Sequence, residues 1–538
     1  MFGNFSQIRA DFISPMSSLH ILTIDLGTSG PKVALFDEKA NCIDHVFQEV
    51  PLLLSDGGGA EQRPSDWTEA IEKCYFALIQ KTGISPSTIQ AINCTSQWSG
   101  TVAVGKDGKP LMNSIIWMDS RGADDVMKRV SGPINIEGYG ADKILKLVNL
   151  TGGAPAKSGK DPVGHILYMK RVFPDLYAKT YKFLEPKDYL NLWLSGIYAS
   201  SFDCITLHWC TDNRNINKVS YHKGLLKMLD LDREKLPDLV PANSILGTIS
   251  VELASKWGLS PETKIISGTP DVHSAAVGSG AVKDYEPHIY IGTSSWLVCH
   301  LPHKKTDIFH NMTTIPSAIP GRYMVANEQE TSGACLNFLK NNLFYNQDEL
   351  SREPAPADFY KRLDEMVAST APGSDQLLFL PWMYGERSPV EDHHVRGGFY
   401  NLSLNHRRPQ MVRAVYEGIA LNTRWLLMYV EKMVGKQFEA INFIGGGARS
   451  DVWSQILADV YNRPIRQMEE PIMSNSRGTA LLALQAIGKL KFEEFGNNVK
   501  VKNTFYPRKE FTKLYDDRFK VFLKIYDKNK GIFKLLNH

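Results

Sequence analysis

Asp25-Leu26-Gly27-Thr28-Ser29-Gly30 brings a carboxylate, two glycines and two hydroxyls together in one short stretch. Glycines let backbone approach a ligand closely, and amide and hydroxyl donors converging in such a turn suit anionic oxygens such as those of phosphate. Asp25, at the end of an apolar run, could hold a magnesium ion through water. An ordinary hairpin turn would look the same. A second turn of this kind, Gly292-Thr293-Ser294-Ser295, lies far along the chain, and two such turns facing each other could grip one polyphosphate from both sides.

A third glycine cluster, Gly445-Gly446-Gly447-Ala448-Arg449-Ser450, separates an apolar run ending at Ile444 from a helical pattern beginning near Asp451. A glycine turn that opens a helix brings backbone and the positive end of the helix dipole to a flat or anionic ligand. It also imitates a dinucleotide fingerprint, with Glu469 and Glu470 about 20 residues later. Against that reading, Ser450 stands where the third glycine should be. No GxxxxGK[ST] loop occurs anywhere in the chain. Between the two hydroxyl-bearing turns, Ser267-Gly268-Thr269-Pro270-Asp271 sets a carboxylate after a strand-like run and before a small-residue helix. That is a good position for a general base, and also for a residue that merely caps the helix.

These turns need strands to hold them. Leu19, Ile21, Leu22 and Ile24 lead into the first and Val33 to Phe36 lead out; His288 to Ile291 and Trp296 to Cys299 frame the second in the same way. Two like hairpins half a chain apart predict two lobes of related design, and 538 residues are too many for one ordinary core. The punctuated stretch Gly278 to Pro287 places the junction near Lys283, giving lobes at 19–283 and 284–538 and an N-terminal extension at 1–18. Pro64-Ser65-Asp66 predicts a helix capped by Ser65 or Asp66 and running to Ile79, and Pro409 to Val434 predicts a longer one. Helices alternating with strands such as Thr263 to Ile266 and Ala440 to Ile444 indicate an α/β class.

Composition narrows the function from outside. The 43% hydrophobic and 22% charged content is that of a folded globular chain. A net charge of +3 offers no basic field for nucleic acid or anionic membrane. Seven scattered cysteines without a CxxC pair argue against disulfides or a zinc knuckle and fit a reducing cytoplasm. The sequence holds neither a signal-peptide core nor a membrane-spanning run, so neither secretion nor insertion is expected.

Further motifs follow in a fixed order: Trp117-Met118-Asp119-Ser120-Arg121, Pro186-Lys187-Asp188-Tyr189-Leu190, Gly385-Glu386-Arg387-Ser388-Pro389, Arg396-Gly397-Gly398-Phe399 and Arg413-Ala414-Val415-Tyr416-Glu417-Gly418. Together with Asp25 to Lys32, Asp271 and Gly445 to Ser450, this set resembles the FGGY carbohydrate kinases, and most of all their xylulokinase branch, from about Leu19 to Gly488. The resemblance implies a two-lobed ATPase of the actin, Hsp70 and hexokinase type with a ribonuclease H-like core in each lobe. Sugar would sit mainly on the first lobe and ATP in the cleft, mainly on the second. Gly27, Thr28, Ser29, Gly30 and Lys32, with Gly292, Thr293 and Ser294, would hold phosphates. Gly446, Gly447 and Ala448 would line the adenosine, Asp25 would serve Mg2+ and Asp271 would be the base. Gln97, Trp98, Ser99, Asp119 and Val272 fall at sugar-side positions, although structural salt bridging is the other reading of Asp119, Arg121, Glu386, Arg387 and Arg396.

Two departures bear on the substrate. The segment Ser96-Gln97-Trp98-Ser99-Gly100 has Ser99 where xylulokinases carry a sugar-contacting His, and Val272 follows Asp271 where they carry Asn. Trp98 could wall the sugar's C–H face or could simply be a core residue. The expected activity is ATP-dependent phosphorylation of a terminal hydroxyl on a small ketose, D-xylulose before others. A ribulose-type or alditol kinase, and a non-catalytic nucleotide-gated scaffold, are the alternatives. No nucleic-acid or membrane partner is expected, and a homodimer is allowed.

Overall fold

The computed structural model describes residues 19–350 and 352–537, so the N-terminal extension expected at 1–18 lies outside the described residues. Strand β1 (His20–Gly27) turns back as β2 (Gly30–Phe36), with β3 (Cys42–Phe47) beyond it. All of β1 before Gly27 is buried, which explains its nearly continuous apolar run: a strand covered on both faces has no solvent side to alternate towards.

Helix α1 (Pro64–Thr82) buries Trp67, Ile71, Tyr75 and Leu78 on one face and ends at Gly83 in the left-handed conformation. The cap expected from Ser65 or Asp66 is not made. The helix starts at Pro64, whose fixed φ suits the first helical position, and this draws Ser65 and Asp66 into the first turn. Strand β4 (Ile89–Ser96) then runs parallel to β1. Residues 97–244 form an insertion with its own apolar cluster, including Val126, Leu147, Ile166, Phe183 and Leu225, and with helix α2 (Pro186–Ser195). Strands β5 (Ile245–Thr248) and β6 (Lys264–Ile266) and helix α3 (Asp271–Gly278) complete this half. Its sheet order is β5-β6-β4-β1-β2-β3.

The second half repeats the plan. Strands β7 (Pro287–Ile291), β8 (Ser295–Leu301), β9 (Thr306–Asp307), β10 (Met312–Pro316) and β11 (Tyr323–Ala326) pair antiparallel among themselves, with β11 folding back beside β8. The long helix α4 (Arg408–Val434) follows, and Val412, Val415, Tyr416, Ile419 and Ala420 are buried at the spacing read from the sequence. After it come β12 (Ile441–Ile444), α5 (Asp451–Tyr461), β13 (Ile465–Met468), α6 (Ser474–Ala486), β14 (Val501–Phe505) and α7 (Thr512–Leu536). The order β9-β10-β11-β8-β7-β12-β13-β14 contains the same unit as the first sheet: three antiparallel strands, two further parallel strands and an antiparallel edge.

Helices α3 and α6 follow equivalent strands, β6 and β13, and pack against each other through Gly278 and Gly478. One apolar cluster spans both halves there, from Ile21, Phe36 and Ile266 to Ile444, Met468, Leu481 and Leu482. Asn93 of β4 donates to the Thr479 carbonyl of α6 at 2.8 Å. No helix among the described residues is long and apolar enough to cross a membrane.

Candidate active site

Five segments with chemistry start where parallel strands stop. In the first sheet Leu26 lies opposite Ser96 and Asn93 opposite Ile266, so β1, β4 and β6 deliver Gly27, Gln97 and Ser267 to one edge. In the second, Tyr290 lies opposite Ile444, so β7 and β12 deliver Gly292 and Gly445 together. Carboxyl ends of parallel strands are where such sheets open into a binding crevice. Ser29, Thr293 and Gly446, at the tips of the three turns, are all exposed.

Asp25 lies opposite Lys32 in the hairpin register, with the ammonium 3.6 Å from its carboxylate. Burial pushes the Asp25 carboxyl up, and Lys32 opposes that shift. The Lys32 ammonium also donates to the Ile472 carbonyl of the second half at 3.4 Å. Asp271 is held up at about 7, first by burial, then by Asp25 and also by Glu328, against the Val272 amide that donates to it at 2.8 Å. A carboxyl poised near neutrality is matched to general-base work. It does not cap the helix: Pro270 holds the cap position and Asp271 is already the first helical residue.

At the first turn, Gly30 has φ 143° and a Cβ there would lie 2.0 Å from the Gln48 carbonyl oxygen, so no side chain fits. Thr28 donates to Gln97 Oε1 at 3.0 Å and accepts from Trp117 Nε1 at 2.9 Å. Gln62 donates to the Thr28 carbonyl at 2.7 Å and accepts from Gln97 at 2.8 Å. Gln97 therefore braces the turn from behind, and both ends of its amide are used. Gln62 was not singled out from sequence and Trp117 was given no role; their part depends on distant segments meeting.

Trp98 donates to the Cys204 carbonyl at 2.9 Å, meets His273 edge-on at 5.0 Å and packs with Val272 against Val298, Ile315 and Met324. Two of the expected sugar-side residues, Trp98 and Val272, thus share one apolar surface. Ser99 has φ 65° and donates to the Lys160 carbonyl at 2.8 Å. Asp119 stands apart: it is buried, and its carboxylate accepts from the Ala60 amide at 2.9 Å and from Arg121, which also pairs with Glu61 at 2.7 Å.

Of the other charged motif residues, Arg387 pairs with Glu328 and, at 2.7 Å, with Glu330. Salt bridging does not describe Glu386 or Arg396. Glu386 is buried, accepts from the Glu330 and Arg387 amides and from Asn422, and is pushed up to about 8 by burial. Arg396 donates to the His393 and Val395 carbonyls. Their partners are uncharged, backbone groups and the Asn422 amide, which charge pattern alone does not reveal.

The third cluster departs from a dinucleotide turn. Gly446 to Arg449 form a short tight helix before α5, and the Ser450 hydroxyl caps α5 by accepting the Trp453 amide at 3.1 Å. Gly445 has φ 87° and lies against Ile291 and Tyr290; Gly446 faces open space.

Beneath the Asp271 loop lies a charged group from a motif to which the sequence assigns no role. Lys187 and Asp188 are fully buried and paired with each other. Lys187 and Asn191 both donate to the Ser267 carbonyl, at 2.9 and 2.7 Å, and Thr269 bonds Asp203. The available signal was a Lys-Asp pair at the start of an apolar helix.

Comparison with known proteins agrees with this geometry. The model of the FGGY family of carbohydrate kinases, N-terminal domain, matches residues 20–278, and that of the C-terminal domain matches 288–487. A xylulose kinase of Staphylococcus epidermidis is 28% identical over 519 residues, covering 95% of this chain and 97% of its own length. A gluconokinase of Bacillus licheniformis is 25% identical over 511 residues, covering 94% and 95%. The crystal structure of gluconate kinase from Lactobacillus acidophilus superposes with a TM-score of 0.84 at 25% identity, covering 97% of this chain and all of the other. With both family domains matched and the two-domain actin and hexokinase-like fold in place, the chain belongs to the FGGY family of carbohydrate kinases.

Proposed function

We propose that this kinase transfers the γ-phosphoryl group of ATP to a terminal hydroxyl of a small neutral ketose, D-xylulose first, giving the 5-phosphate. The observation that carries the reading is Asp271 at the carboxyl end of β6, held near neutrality beside Asp25. Asp271 takes the proton of the attacking hydroxyl. Gly27, Thr28, Ser29, Gly30 and Lys32 meet the phosphates from one side and Gly292, Thr293 and Ser294 from the other. Gly446, Gly447 and Ala448 form the adenosine edge. The sugar lies along Trp98, Ser99 and Val272, with Gln97 bracing the phosphate turn. In this reading 19–283 is the sugar lobe and 284–538 the ATP lobe.

The residues fit a magnesium ion at Asp25. Asp25 and Asp271 are two carboxylates that each raise the free energy of the other's charge, a tension that a cation relieves. No cluster of three or more metal-ligating side chains occurs among the described residues. Mg2+ needs none, since it is commonly held through one or two carboxylates, water and substrate phosphates. When bound it would neutralise charge on the transferring group, the larger part of catalysis in phosphoryl transfer.

A neutral acceptor is favoured over an aldonate such as gluconate because Asp25 and Glu328 already place negative charge at Asp271. The test is ADP release with Mg-ATP across xylulose, ribulose, alditols and gluconate. Xylulose should give the highest kcat/KM. Gluconate as the best acceptor would overturn the choice of sugar, and no stimulation by any compound would favour a nucleotide-gated scaffold.

A further inference from the structure

Tyr290 belongs to no glycine turn but touches two of them. It is the next-to-last residue of β7, paired across the hairpin with Trp296 and across the parallel ladder with Ile444. Strand alternation puts it on the same face as Gly292, the face that packs on the shared cluster between the lobes. Its ring lies flat on Trp296, with centroids 3.9 Å apart and planes within 4°. A Cβ on Gly445 would come within 3.0 Å of that ring, so the glycine there leaves the space the ring fills. A Cβ on Gly292 would fall 2.4 Å from the phenol oxygen, so the hydroxyl sits directly under the second phosphate turn.

The hydroxyl also feels the opposite lobe. The phenol is pushed up to about 12 by burial and then by Asp271 and Asp25, so those carboxylates lie within its electrostatic reach. Among the described residues no group hydrogen-bonds this hydroxyl, although the ring is stacked on Trp296 and lies against Gly445. A rigidly held phenol keeps its proton at neutral pH and can donate it. The hydroxyl thus lies against Gly292 and within electrostatic reach of Asp271 and Asp25.

We propose that Tyr290 is a phosphate-binding residue, its hydroxyl donating to an oxygen of the polyphosphate chain of the nucleotide, with Trp296 and Gly445 fixing the ring. This rests on the kinase reading above for what the phosphate is, but its test needs no sugar. ATP, adenosine and inorganic triphosphate are titrated calorimetrically, in the presence of Mg2+, into the wild-type chain and Tyr290→Phe. Phe keeps the ring, its stack on Trp296 and its fit against Gly445, so the melting temperature should be unchanged. A hydrogen bond to a charged acceptor contributes enough to weaken ATP and triphosphate binding by about tenfold or more when lost, with adenosine binding unchanged. Equal affinity of the two proteins for ATP and triphosphate would overturn the proposal, as would an equal loss for adenosine, which would make the ring a base platform. Failure of every sugar in the acceptor panel would refute the kinase reading and leave this comparison intact.

Discussion

Gly278 of α3 and Gly478 of α6 stand face to face where the two lobes cross. A Cβ on Gly278 would lie 1.8 Å from the Ser474 carbonyl oxygen, and one on Gly478 would lie 1.8 Å from the Ser274 carbonyl oxygen. The contact is reciprocal, as expected of helices that follow equivalent strands of a repeated unit. Backbone therefore meets backbone at the point about which the lobes would move in hinge or shear closure around a ligand.

Gly478→Ala should force the two helices apart. Overpacking of this kind typically costs about 1–3 kcal/mol, read as a lower midpoint in denaturant unfolding. A variant as stable as the wild type would mean that the helices are not in contact at these glycines.

The second prediction concerns Asp271. Asn keeps the shape but cannot accept the proton, so Asp271→Asn should lower kcat by about 10² to 10⁴, with ATP affinity little changed. Stability should move the other way. A carboxyl whose folded pKa, about 7, lies above its unfolded value binds its proton more tightly in the folded chain. The folded state therefore loses stability as pH rises from about 4 to 7. The variant escapes that loss, so it should melt higher than the wild type at pH 8 and show no such advantage near pH 4. A helix-capping Asp would predict neither change. Near-normal turnover in a folded variant would remove Asp271 from the mechanism.

The buried pair Lys187 and Asp188 should be strongly coupled. Lys187→Met leaves Asp188 charged without its partner, and breaking such a pair typically costs about 3–5 kcal/mol. The double change Lys187→Met with Asp188→Leu should cost less than the single one, because no uncompensated charge remains. Urea unfolding of Lys187→Met, Asp188→Leu and the double variant measures this, and additive losses would mean that the pair acts as two independent groups.

What was legible in the sequence was local. The two hydroxyl-bearing glycine turns and Asp271 could be read because each lies within a few residues of its own strand, and the repeated hairpin announced the repeated sheet. Gln62 and Trp117 could not be read, since they reach Thr28 only after the segment before α1 and the insertion fold back on β1. Tyr290 was hidden differently: as one aromatic in an apolar strand it carries no signal until the ladder sets it between Gly292 and Gly445. The α1 cap was misread because Ser65 and Asp66 are good capping types, while Pro64 decides where the helix begins.

The last prediction returns to the two departures from the xylulokinase pattern. Ser99 holds φ 65°, a conformation that His, unlike a β-branched residue, tolerates comparatively well. Ser99→His would exchange a hydroxyl tied to the Lys160 carbonyl for a longer polar side chain. Val272 packs with Trp98, so Val272→Asn would set an amide on a surface that is now apolar. If both positions face the sugar, the double change should raise kcat/KM for xylulose relative to ribulose by about tenfold or more, each added hydrogen bond contributing roughly 1 kcal/mol. If they only pack the core, the amide beside Trp98 is an unpaired polar group. The melting temperature should then fall while the substrate ratio stays where it was. Measuring both quantities on the single and double variants separates a sugar wall from a core wall, and an unmoved ratio in a stable double variant would remove Ser99 and Val272 from substrate choice.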